Sequence, residues 1–224
     1  MNTLIDFKRL FNQSKYPSDL FEKYFDYQDK FYSSEIKLIK RELQEKVKDK
    51  DIDEEIYWMN MFNEFQVDFL QGTFQDIQNK TSLILLYTVF ENNFKQLCKL
   101  LGDELKTPIA YTDLSGDDLN KCKKYLIKLC GLNDGIFETD CWKKIDCVRK
   151  IRNCVVHNGS DITMVLRNDK KIIDEFKNIN GFTLVDNGFG LLKNDFLRMF
   201  IKIADDFFKL LVAELKMNQK SGFN

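Results

Sequence analysis

Apolar residues recur every three or four positions through TSLILLYTVFENNFKQLCKLLGD (81–103), where Leu83, Leu86, Phe90, Phe94, Leu97 and Leu101 fall on one stripe. That period is helical, and it predicts a strongly amphipathic core helix with Gly102 as its stop. Upstream, Pro17 and the capping residues Ser18 and Asp19 precede a long run of Phe, Tyr, Lys and Glu, so a helix begins there. The charged mixture RELQEKVKDKDIDEE (41–55) reads as a solvated helix end and the start of another, with apolar spacing resuming at Phe62, Phe65 and Phe69.

Downstream, LSGDDLNKCKKYLIKLCG (114–131) opens with a Ser115 to Asp118 capping-box spacing and closes at Gly131. ETDCWKKIDCVRKIRNCVVHNGS (138–160) gives a helix starting near Thr139 and ending at the Asn158–Gly159 pair. In GFTLVDNGFGLL (181–192), two short apolar runs flank Asp186, Asn187 and Gly188 and suggest a small β-hairpin. NDFLRMFIKIADDFFKLLVAEL (194–215) returns to helical spacing. The expectation is an all-α fold: an up-and-down bundle of about four or five core helices spanning 76–218, an N-terminal helical extension over 1–75, and a flexible tail at 219–224.

Composition narrows the function classes. With 224 residues, 44% hydrophobic and 31% charged, the chain has enough material for one globular core, and only two prolines interrupt it. A net charge of -1 removes the general basic excess of indiscriminate nucleic-acid binders, so any such contact must be local. The six cysteines form no pair at two-residue spacing and there is a single histidine, so no metal set and no cofactor are expected. The longest apolar stretch, FLRMFIKIADDFFKLLV, is broken by charges, which points away from a membrane and towards a cytoplasmic protein with reduced thiols.

The helix over 138–160 carries the chemistry. At 100° per residue, Ile145, Val148, Ile151, Val155 and Val156 share one arc with Cys141, and Arg152 projects near its middle, where a leucine would serve. A guanidinium stays charged and needs a carboxylate, phosphate or water when buried. Glu91, at the margin of the stripe on 81–103, is a candidate partner through charge-assisted hydrogen bonds. Arg149, Asn153 and His157 form a separate stripe, with His157 in the last turn, where a cation is favoured by the dipole. Cys147 and Cys154, seven residues apart, share a packing face rather than supplying a thiol nucleophile.

The segment IRNCVVHNG, with Arg152, Asn153 and His157 separated by mostly apolar residues, together with YTVFENNFKQLCKLL and its acidic Glu91, resembles the HEPN domain superfamily. The resemblance covers about residues 76 to 218. It implies a helical bundle that dimerises with two copies of the motif along one cleft, and metal-independent RNA cleavage, often within toxin–antitoxin or antiphage defence systems. On that reading Arg152, His157 and Asn153 are catalytic, Glu91 and Asn158 support them, and Lys143, Lys144, Arg149 and Lys150 draw in RNA. The partners implied are an RNA substrate, a second copy of the chain, and an antitoxin or other defence-system protein. HEPN toxins silenced by nucleotidylation carry a tyrosine two residues after the histidine; Gly159 stands there, which argues against that control. The residues also allow a non-catalytic HEPN-like adaptor that binds nucleotide or RNA. A third reading is a plain interaction bundle, with Arg152 and Glu91 as an interior ion pair and His157 as a cap.

Overall fold

The computed structural model describes residues 17–62, 66–161, 180–185 and 190–220. These form an all-α bundle with one small antiparallel sheet. The helices are α1 (Ser18–Val47), α2 (Ile52–Phe62), α3 (Gln75–Leu105), α4 (Asp118–Lys128), α5 (Asp140–Asn158) and α6 (Asn194–Lys220). Strands β1 (Phe182–Leu184) and β2 (Gly190–Leu192) pair with Phe182 opposite Leu192. The hairpin expected from sequence therefore has its two strands; its turn at Asp186 to Gly188 lies outside the described residues, as does Phe65. Among the described residues no helix is long and apolar enough to cross a membrane.

Helix ends follow local chemistry, with two departures from the sequence reading. α3 does not stop at Gly102 but runs to Leu105, where Lys106 adopts φ 50° and the Thr107 amide returns to the Gly102 carbonyl at 3.1 Å. Gly102 is needed for space instead: a Cβ there would lie 2.3 Å from the Tyr125 hydroxyl. α4 is capped by Asp117 rather than Ser115, its carboxylate accepting from the Asn120 amide at 2.9 Å. The chain leaves α4 at Gly131 (φ 67°) and α5 at Gly159 (φ 55°), both as expected from their left-handed tolerance. α6 continues to Lys220, two residues into the segment read as a tail.

The chain divides into two compact units that do not follow the linear boundary at residue 75. One takes in the described residues of 1–18, 84–153 and 199–224. Its core is aromatic: Phe90 stacks on Phe94 at 6.0 Å, and Trp142 meets Phe94, Phe137 and Phe207 at 6.0, 4.8 and 5.2 Å. All six stripe residues of α3 named above are buried. These contacts fix the first part of α5 against α3 and α6.

The other unit takes in the described residues of 19–83 and 154–198. The N-terminal helix is integral to it and is not an appendage: Arg198 donates to Asp26 at 2.9 Å, to Asp29 at 2.8 Å and to Glu22. Hairpin residue Leu192 is held by the first turns of α3, its amide by Asp76 at 2.9 Å and its carbonyl by the buried Asn79 at 2.8 Å. That pairing accounts for a buried asparagine and aspartate in an otherwise apolar setting.

Candidate functional site

Thr139 starts α5 by offering its hydroxyl to the Trp142 amide (3.4 Å) and its carbonyl to the Lys143 amide (3.1 Å). The buried positions that follow are Ile145, Cys147, Val148, Ile151 and Cys154. This face is rotated from the arc expected on sequence, because Cys147 and Cys154 join it while Val156 is exposed. Arg152 consequently stands at the border of the buried face, half-buried, rather than at its centre. Burial pushes the Cys154 thiol up, consistent with packing rather than nucleophilic duty.

That border opens into a cavity of about 350 Å³ lined by Tyr87 and Glu91 of α3, Asp117, Asp118 and Leu119 at the start of α4, and Arg149, Arg152 and Asn153 of α5. Arg152 donates from Nη1 to the Asn153 side-chain oxygen at 3.0 Å. Its guanidinium carbon sits 5.6 Å from the Tyr87 ring centroid, a cation–π distance. Its Nε is buried and has no hydrogen-bond acceptor, and the Tyr87 hydroxyl is likewise buried without a partner. Among the described residues no carboxylate forms an ion pair with Arg152.

The expected Glu91–Arg152 pair is therefore not formed, although both residues line the same cavity. The guanidinium lies over Tyr87, one helical turn before Glu91, and turns its Nη1 towards Asn153. Burial raises the Tyr87 phenol far above its usual range, and the negative charge of Glu91 adds to the effect against the opposing pull of Arg149 and Arg152. The phenol is thus a neutral group with a free hydrogen-bonding oxygen at the edge of two cations.

Apart from Glu91, the other charges around the cavity are already engaged. Arg149 grips Asp146 through Nε at 2.9 Å and Nη2 at 2.8 Å, and Lys150 reaches the same carboxylate at 3.2 Å. Asp118 pairs with Lys95 at 2.5 Å, which holds its carboxyl below the usual range. Asp117 is occupied as the α4 cap, its second oxygen accepting from the Asn120 side chain at 2.8 Å. Among the described residues, Arg152 is the cation of this cavity that forms no ion pair with a carboxylate.

The sequence-derived residues separate into two groups. Glu91, Arg149, Arg152 and Asn153 share the cavity; His157, Asn158, Lys143, Lys144 and Lys150 do not line it. His157 is exposed in the last turn of α5, and Asn158 ends the helix half-buried. Five residues of α-helix place His157 about 7.5 Å along the axis from Arg152 and about 140° around it. Lys143 and Lys144 are exposed in the first turns.

Tyr87 and Asp117 on the cavity wall, and the hold of Lys95 on Asp118, are features that sequence reasoning did not single out. Tyr87 was legible only as a neighbour of Glu91, and Asp118 only as helix-start chemistry. Among the described residues no three His, Cys, Asp or Glu side chains gather as a metal-holding group. Comparison with protein-family models, with curated proteins and with solved structures finds no match for this chain.

Proposed function

We propose that the chain is a metal-independent, HEPN-like endoribonuclease of the cytoplasm, acting as a toxin or antiphage defence effector, whose site is completed by a second copy of the chain. The observation that carries the reading is Arg152: a half-buried guanidinium that no carboxylate neutralises, with a buried Nε lacking an acceptor, at the wall of an open cavity. A buried cation without a carboxylate calls for another anion, and the fork of a guanidinium suits two oxygens of a phosphodiester.

The chemistry follows from the residues. The ribose 2′-oxygen attacks phosphorus and gives up its proton; the phosphorane forms; the 5′-oxygen leaves and takes a proton. Arg152 would hold the phosphorane charge, with Asn153 orienting it through their hydrogen bond. His157 would carry the proton transfers from its exposed imidazole. Because Arg152 and His157 lie about 140° apart on one helix, a single phosphodiester meets both most simply when two copies of α5 face one strand of RNA. Products would be a 2′,3′-cyclic phosphate and a 5′-hydroxyl. α5 carries five Lys and Arg side chains against two aspartates, which supplies a local positive field on a neutral chain.

A second reading is a non-catalytic HEPN-like module that binds RNA or nucleotide and acts as an adaptor. It is favoured by His157 lying outside the Arg152 cavity and by Glu91, Asp117 and Asp118 on the cavity wall. Incubating the purified chain with RNA in excess chelator separates the two. The nuclease reading expects cleavage that disappears in both Arg152→Ala and His157→Ala. Intact RNA that is bound by the wild type and released by Arg152→Ala alone establishes the adaptor instead.

A further inference from the structure

We propose that α1 is a homodimerisation helix, pairing parallel and in register with α1 of a second copy. Leu20, Tyr24, Tyr27, Phe31 and Leu38 are all exposed on this helix, Leu20 and Tyr27 by 70% and 72%. Their spacing of four, three, four and seven residues is that of alternating heptad core positions, interrupted only by Ser34. About 100° further round α1, Phe25, Gln28 and Tyr32 are buried. A helix that buries one stripe and exposes a second can take a second partner; among the described residues Tyr24 alone of the exposed stripe hydrogen-bonds to another helix, its hydroxyl accepting from the Gln78 side chain at 3.3 Å.

Charge identifies the occupant. In the register set by the apolar stripe, Lys30 and Lys37 flank one side of the seam, and Glu35 and Glu42 flank the other. A parallel, two-fold pair brings each lysine opposite the glutamate five residues later in the second copy: Lys30 to Glu35 and Lys37 to Glu42, each twice by symmetry. An antiparallel pair would instead set lysine row against lysine row. None of these four side chains forms an ion pair within the chain among the described residues. Size is sufficient too: five large side chains roughly half exposed supply on the order of 500 Å² per copy, about 1,000 Å² in total, the lower range of specific interfaces. The inference uses only α1 and stands whether or not the chain cleaves RNA.

The test uses the full chain and its mass in solution by light scattering, from about 1 to 100 μM. A dimer is expected for the wild type, converted to monomer by Tyr27→Glu with Phe31→Glu, while the circular-dichroism spectrum is unchanged. Ser34→Cys should cross-link to itself under mild oxidation, because parallel in-register seams bring equivalent core positions within disulfide reach; the wild type, with its cysteines buried or half-buried, should not. Lys30→Glu with Lys37→Glu should weaken association at least tenfold, and Glu35→Lys with Glu42→Lys should restore it when mixed in. A wild type that is monomeric throughout, a dimer indifferent to the Tyr27 and Phe31 changes, or a dimer in which Ser34→Cys fails to cross-link overturns the proposal. A monomer that loses thermal stability on the Tyr27 and Phe31 changes also overturns it, since another segment of the same chain then covers the stripe.

Discussion

Replacing Arg152 with methionine keeps most of the apolar stem and removes the guanidinium. The change forfeits one hydrogen bond to Asn153, about 1 kcal/mol, and a cation–π contact over Tyr87 of roughly 0.5–1 kcal/mol. It also removes a buried Nε–H without an acceptor, whose desolvation costs roughly 1–3 kcal/mol. These effects nearly cancel, so urea unfolding of Arg152→Met should lie within about 1.5 kcal/mol of wild type, on either side. RNA cleavage, followed on the same preparation, should fall at least about a hundredfold, the usual consequence of losing a donor to a developing oxyanion. A fold that loses more than about 3 kcal/mol would refute the reasoning, because that is the signature of breaking one side of a buried ion pair. Arg152 would then be a structural residue.

Two further outcomes test how α3 meets α4. Gly102→Ala, which would add roughly 1 kcal/mol of stability in an open helix, should instead cost about 1–3 kcal/mol, because its Cβ would meet the Tyr125 hydroxyl at 2.3 Å; in a Tyr125→Phe background most of that cost should vanish, and a stabilising Gly102→Ala in the wild type would contradict the packing. Lys95 depresses the Asp118 carboxyl, so this pair stabilises the fold above the ordinary aspartate range and ceases to as pH falls through the lowered folded value. Lys95→Met should flatten the acid limb of a stability–pH curve by under about 1 kcal/mol, the pair being partly exposed. An unchanged acid limb would show that the pair contributes nothing.

Helical periodicity made the elements legible because each core helix buries one stripe of its own; the α3 stripe from Leu83 to Leu101 was read residue by residue. Long-range geometry was not legible. Arg198 reaching Glu22, Asp26 and Asp29 joins residues nearly the length of the chain apart, and no local pattern announces that the N-terminal helix belongs with the hairpin region. Gly102 looked like a stop because glycine serves both as a cap and as a space for close packing, and only the position of Tyr125 decides between them. The sequence pattern set Arg152 in the middle of an apolar arc, whereas it stands at the border of the buried face, and its orientation was not legible. A helical wheel fixes where a side chain leaves the axis; it does not say that the guanidinium will settle over Tyr87 and leave Glu91 unpaired. His157 was placed correctly at the helix end, while its exclusion from the cavity depends on which elements form the wall.

The central claim is that Arg152 is held without a carboxylate so that it can take a phosphodiester, and the Nε–H resonances of the arginine side chains report this most directly. The chain, labelled with nitrogen-15, is titrated with a short RNA that carries 2′-O-methyl ribose at every position and so cannot be cut by 2′-oxygen attack. The account expects a saturable shift of the Arg152 signal, assigned by its loss in Arg152→Met, with the carboxylate-bound Arg198 signal unmoved. Binding of the oligonucleotide that leaves the Arg152 resonance in place, or no binding at all, would contradict it.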